Sequence, residues 1–136
     1  MTETEDAMVD ADLLQAARDA LGRSHAPYSR FHVAAAVRAH DGRVFVGVNV
    51  ENASYGLTVC AERVAVFSAV AAGATQLEQM ALTTEPAPTL PEHSMPCGAC
   101  RQVMAEFMQP SAGVLVDRVG SFQLAELLPH PFVLSP

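Results

Sequence analysis

Apolar residues fall at helical spacing in some stretches of this chain and run unbroken in others, and the alternation between the two lays out its elements. Leu13, Leu14, Ala17 and Leu21 recur three and four residues apart with Gly22 as a stop signal, which predicts an amphipathic helix. Residues 33–37 and 44–48 are valine-rich runs joined through Asp41-Gly42, the pattern of a β-hairpin. Both runs are apolar on both faces, so the sheet they enter needs cover on two sides. Residues 60–72 are helical and apolar nearly all round, broken by Glu62, Arg63 and Ser68, and Gly73 ends them. Such a helix is buried on more than one side, either inside the core or against another subunit.

A strand over 77–84, a proline-rich loop over 85–96, a helix over 97–108 stopped by Pro110, a strand over 114–117 and a short helix over 124–128 complete the chain. The order helix, strand, strand, helix, strand, helix, strand predicts an α/β fold with helices on both faces of a sheet. Residues 1–8 are polar and acidic and are expected to be disordered. Residues 9–136 are expected to form one domain, because a chain of this length gathers its apolar surface into a single core.

Composition narrows the partners. The net charge is −7, lysine is absent, and the eight arginines are scattered singly. Binding to a nucleic-acid polymer needs clustered cations, so a small neutral ligand fits better. No apolar stretch approaches the roughly 20 residues that span a bilayer, and no leader pattern precedes the first helix. All three cysteines fall in two short motifs, so the expected setting is the reducing cytoplasm.

Those motifs are Cys60-Ala61-Glu62-Arg63 and Pro96-Cys97-Gly98-Ala99-Cys100, each at the start of a predicted helix. Zinc held by three protein ligands keeps a fourth position for water, which the metal acidifies, whereas four protein ligands make a structural site. Three thiolates crowd negative charge onto the ion. Helix N-termini offset it with partial positive charge, and Arg63 and Arg101, each next to a ligand, are expected to moderate the sulfurs. The alternative for Arg101 is a surface carboxylate partner. Glu62 is a proton relay if Cys60 stands at the helix N-cap; otherwise it is an ordinary first-turn acid. His93, four residues before Cys97, is the one histidine with the spacing to close the site as Cys₃His.

Five motifs in sequence, Pro27-Tyr28-Ser29-Arg30-Phe31, Asn49-Val50-Glu51-Asn52-Ala53-Ser54-Tyr55, the two cysteine motifs with Arg101-Gln102, and Glu126-Leu127-Leu128-Pro129-His130-Pro131-Phe132, resemble those of the small homotetrameric cytidine deaminases. The resemblance runs from about Pro27 to Phe132. It implies a three-layer α/β/α fold around a mixed sheet and one zinc ion per subunit on Cys60, Cys97 and Cys100. Glu62 would shuttle protons while cytidine or 2′-deoxycytidine loses ammonia for pyrimidine salvage. Asn49 and Glu51 match ribose-binding positions; Val50, Asn52, Ala53, Ser54, Tyr55 and Ala61 fall in the substrate-contacting set, some of it reaching a neighbouring subunit. Phe31 and Phe132 match aromatics that flank the base, Phe132 from another chain; for both, core packing is the competing account. The chain departs from the family pattern at Ala34, where Gly is usual. Two other functions stay open: a deaminase of a modified cytosine nucleoside or nucleoside antibiotic, against which Asn49-Val50-Glu51-Asn52 argues, and a non-catalytic zinc module, in which Glu62 has no necessary role.

Overall fold

The computed structural model describes residues 3–135, with side chains from residue 11 onward. Helix α1 (Glu3–Ala20) leads into strands β1 (His32–Ala39) and β2 (Val44–Val48), helix α2 (Ala61–Ala71), strand β3 (Leu77–Glu85) and helix α3 (Gly98–Phe107). Strands β4 (Met108–Val116) and β5 (Gly120–Gln123) and the short α4 (Leu124–Leu127) follow. Among the described residues the strands form one sheet in the order β2-β1-β3-β4-β5. The β3–β4 pair is parallel and the other pairs are antiparallel, so the sheet is mixed as expected.

Register explains why both faces are apolar. Phe45, Val37, Met80, Val114 and Phe122 lie opposite one another across the five strands and pack on the face covered by α2, α3 and α4. One residue along, Val46, Ala36, Ala81 and Leu115 form the row beneath Leu13 and Ala17 of α1. Side chains alternate across a strand, so a run of apolar residues feeds two cores at once. The alanines of the second row let α1 lie close to the sheet.

The predicted hairpin forms, with Gly42 at φ +93°, a conformation that suits glycine. Helix α1 begins at Glu3, inside the stretch 1–8 for which disorder was expected, while Met1 and Thr2 lie outside the described residues. Two local expectations change. Pro110 does not end α3 by breaking it: β4 begins at Met108, and residues 109–112 bulge opposite Glu78 before pairing resumes at Gly113. A proline, lacking an N–H, fits such an irregular stretch. Strand β5 was unforeseen because so short a segment, with one inward aromatic, Phe122, gives little periodic signal.

Helix α1 is also tied to the sheet by charge. Arg18 grips Asp117 with two parallel bonds, Nε to Oδ2 at 3.1 Å and Nη2 to Oδ1 at 2.8 Å, and Thr83 Oγ1 donates to Oδ2 at 2.8 Å. The hydrogen bond from Arg18, aided by Thr83 and opposed by burial, holds the Asp117 carboxyl below its ordinary value of 3.8. A depressed carboxyl pKa stabilises the fold fully above the unfolded-state value, and this stabilisation is lost as pH falls through the folded-state value. Asp117→Asn is therefore expected to flatten the acid limb of the stability curve below about pH 4. Denaturant unfolding followed by circular dichroism across acidic pH checks this, and an unchanged limb contradicts it.

Candidate active site

The end of the sheet where β1 starts and β2 and β3 finish faces the N-termini of α2 and α3. Cys60 is the N-cap residue of α2 and Cys97 that of α3, both in extended backbone, and Cys100 lies in the first turn of α3. Neither cysteine side chain caps its own helix, so each is free to turn toward the other. The three Sγ atoms lie within 4.8 Å of one another, with Cys97 and Cys100 3.4 Å apart. The condition set by the sequence for Glu62 is met: with Cys60 outside the helix, the second helical residue reaches the same site.

What places Cys60 there is Gly47. A Cβ on Gly47 would stand 2.5 Å from Ala61 O and closer still to Ala65 N, so β2 and α2 touch backbone to backbone. Ala61, Ala65 and Ala69, four residues apart, form the buried ridge that makes this approach possible. On the opposite face of α2, Phe67 and Ser68 are exposed, so in the single chain the helix is buried on one side.

Charge at the cluster is organised by Arg63, whose Nη2 lies 3.2 Å from Cys60 Sγ. The Cys60 thiol is pulled down to about 5, chiefly by hydrogen bonding from Cys100 and then from Arg63, against the effect of burial. Cys100 moves the opposite way, raised by its bond to Cys60 and by its burial. Arg101 does not do what its position suggested. Its Nε donates to Pro96 O and its Nη1 to Leu127 O, both at 2.7 Å, so it braces backbone rather than sulfur. Its position in sequence pointed to the motif but not to the partner, because carbonyls carry no mark in a sequence.

Glu62 is 5% exposed. Burial pushes its carboxyl up to about 7; its own backbone N–H opposes the rise and the Cys60 charge adds to it. Glu62, Cys60, Cys97 and Ala61 line a cavity of about 260 Å³ together with Phe31, Asn49 and Glu51. Cys100 is buried behind the wall. Asn49 Nδ2 donates to Phe31 O at 2.8 Å, and its Oδ1 accepts from Val33 N at 3.0 Å and from Ser24 Oγ. Glu51 accepts from Tyr28 N at 3.0 Å, Ser29 N at 3.1 Å and Ser29 Oγ. The Ser29 hydroxyl, with these backbone donors and against burial, holds the Glu51 carboxyl below its ordinary range.

Other expected residues lie elsewhere in the single chain. Val50, Asn52, Ala53, Ser54 and Tyr55 are exposed and do not line the cavity. Phe132, 73% exposed, borders a separate cleft beside Gln102. His93 lines the cavity but is outside the thiol cluster, its Nδ1 lying 3.3 Å from Thr89 Oγ1. The sequence reading missed Ser29, Val33, Thr58, Thr84, Ser94 and Met95 as cavity residues. Ser29, Thr58 and Met95 each stand two residues before a chosen site residue, a weak signal. Val33 and Thr84 are cross-strand partners, which spacing cannot show.

Residues 8–115 match the model of the cytidine and deoxycytidylate deaminase zinc-binding region. The chain belongs to the cytidine and deoxycytidylate deaminase family. It is 43% identical over 124 residues to the cytidine deaminase of Halalkalibacterium halodurans, covering 88% of this chain and 91% of that one. Identity to the cytidine deaminase of Mycobacterium tuberculosis is 41% over 129 residues, covering 93% and 92% of the two chains. The crystal structure of cytidine deaminase from Burkholderia pseudomallei superposes with a TM-score of 0.81 at 42% identity, covering 97% of this chain and all, 100%, of that one.

The deaminase donor set fits zinc. Three thiols converge, one already favours its thiolate, a guanidinium faces the sulfur, and among the described residues no fourth His, Cys, Asp or Glu joins the cluster. Cys60, Cys97 and Cys100 would hold the ion. Because Gly47 sets the position of α2, Gly47→Ala is expected to cost at least about 3 kcal/mol, the upper end for overpacking, since the clash is with backbone. Zinc retention should fall with it. Denaturant unfolding and metal analysis of the purified variant check this, and wild-type values for both would show that α2 does not need the contact.

Proposed function

We propose that this protein hydrolyses cytidine and 2′-deoxycytidine to uridine and 2′-deoxyuridine, releasing ammonia, as a step of pyrimidine salvage in the cytoplasm. The observation that carries the reading is the placement of a buried carboxylate, Glu62, in the wall of the cavity that is also lined by Cys60 and Cys97 of the thiol cluster and by the polar pair Asn49 and Glu51.

When bound, zinc supplies Lewis-acid activation of water near neutral pH. The chain's residues do the rest. Glu62 accepts a proton from the attacking water and passes it to ring N3 as the C4–O bond forms, then moves the proton of the new C4 hydroxyl to the departing amine as the C4–N bond breaks and the C4 carbonyl forms. One carboxylate serves both steps because the donor and both acceptors lie around one ring edge. Asn49 has a second Nδ2 hydrogen and Glu51 has further lone pairs, so together they can donate to and accept from ribose hydroxyls. Free cytosine would leave these groups unpaired and is a poor substrate on this reading. Phe31, on the cavity wall, flanks the base.

The working unit is a homotetramer of single catalytic domains, each spanning residues 9–136. Two exposed apolar features support this reading: Phe67 on α2, 51% exposed, and the tail bearing Phe132. In the tetramer Phe132 reaches the nucleoside of a neighbouring copy, and the segment from Val50 to Tyr55 contributes partly in the same way. Acidic net charge is consistent with a nucleoside rather than a polynucleotide substrate.

Loss of cytosine absorbance with cytidine, run on zinc-loaded wild type and Glu62→Gln with metal analysis of both, tests the function. The variant should keep its zinc and lose at least about 10²- to 10⁴-fold in kcat. Undiminished activity in the variant, or no turnover by the loaded wild type, overturns the reading.

A further inference from the structure

The segment that follows α4 is held by one side chain. Residues 129–135 adopt no helix or strand, and among the described residues their hydrogen bonds are two, both with Gln102. Gln102 Nε2 donates to Phe132 O at 3.0 Å, and Phe132 N donates to Gln102 Oε1 at 3.0 Å. A primary amide presents a donor and an acceptor side by side, so it pairs with the main chain of a single residue much as a neighbouring strand would. Gln102 lies on α3, two residues beyond Cys100, and the adjacent Arg101 holds Leu127 O at 2.7 Å. The helix that begins with two zinc-holding cysteines therefore also grips the tail.

Nothing in the single chain packs the tail firmly. Phe132, Val133 and Leu134 are 73%, 76% and 80% exposed. Their direction thus rests on the amide clamp rather than on burial.

We propose that Gln102 is a positioning residue for the reaction: by fixing the backbone of Phe132 it presents that ring, already ordered, to the nucleoside in a neighbouring copy. This rests on the reading of Phe132 given above. Without the clamp the tail must be ordered anew with each binding event, and that cost falls on nucleoside affinity rather than on the chemical step.

Steady-state kinetics with cytidine on the zinc-loaded full chain separate the possibilities, using Gln102→Ala, Gln102→Glu, Phe132→Ala and the Gln102→Ala/Phe132→Ala double variant. Gln102→Ala should raise KM about five- to tenfold, as loss of two modest hydrogen bonds implies, and leave kcat within about twofold. Gln102→Glu keeps the acceptor but sets a carboxylate against Phe132 O, and should raise KM at least as far. Zinc content and oligomeric size should be unchanged in both. The double variant should match Phe132→Ala alone, because placement of an absent ring is immaterial. An unchanged KM in the Gln102 variants while Phe132→Ala raises it overturns the clamp and leaves the role of Phe132 standing. An unchanged KM in Phe132→Ala overturns both. Full additivity, or loss of zinc or of the assembly in both Gln102 variants, marks the amide as a general structural element and also overturns the proposal.

Discussion

The contact between Gly47 and the first two turns of α2 is the constraint from which the site follows. Backbone meets backbone there, with Ala61 and Ala65 opposite a residue that has no side chain. The approach fixes the height of α2 above the sheet and hence where its first residues stand. Cys60 is the N-cap of α2 and Glu62 lies in its first turn, so a displacement of α2 by one methyl would move a sulfur of the thiol cluster and the buried carboxylate together. Chemistry of this kind tolerates little misplacement. Rigidity here comes from close packing of small groups, which leaves no slack to absorb an added atom.

The second requirement is charge. Three thiolates gathered on a metal would repel one another, and the fold places two helix N-termini and a guanidinium there to offset them. Both N-cap positions belong to cysteines, so the positive ends of α2 and α3 both lie at the thiol cluster. Arg63 adds a full charge at 3.2 Å from Cys60 Sγ, although its buried Nε has no partner among the described residues. An unmet buried donor costs about 1–3 kcal/mol. Arg101, one residue beyond Cys100, bonds instead to the carbonyls of Pro96 and Leu127 and links the proline loop to α4.

Much of this was legible from residue order. The valine runs gave the hairpin, and the cysteine motifs gave both the helix starts and the cluster, since an N-cap residue and its first turn are local in sequence. The requirement that Cys60 be an N-cap was deducible from the two-residue offset to Glu62. What escaped depends on pairing across the sheet. Thr84 enters the cavity because it faces Val33 on the adjacent strand, and Gly47 matters because of what α2 brings over it. Neither relation has a fixed spacing. Strand β5 was invisible for another reason: it is short and borrows its order from β4.

Asn49 and Glu51 illustrate how a site can be built before any ligand arrives. Each already makes three hydrogen bonds to the segment that carries Ser29 and Phe31, or to residues flanking it. These bonds lock the amide and carboxylate orientations, and they anchor the aromatic that stands beside the cavity. A side chain ordered in this way loses little freedom when a ribose binds, so more of the interaction energy appears as affinity. On the proposed function, sugar and base recognition would not be independent: the Asn49 amide that would meet the sugar already fixes the Phe31 backbone, so a change at one would be felt at the other. Asn49, just past β2, is thus tied to the Phe31 backbone and to the start of β1 by hydrogen bonds 2.8 to 3.0 Å long.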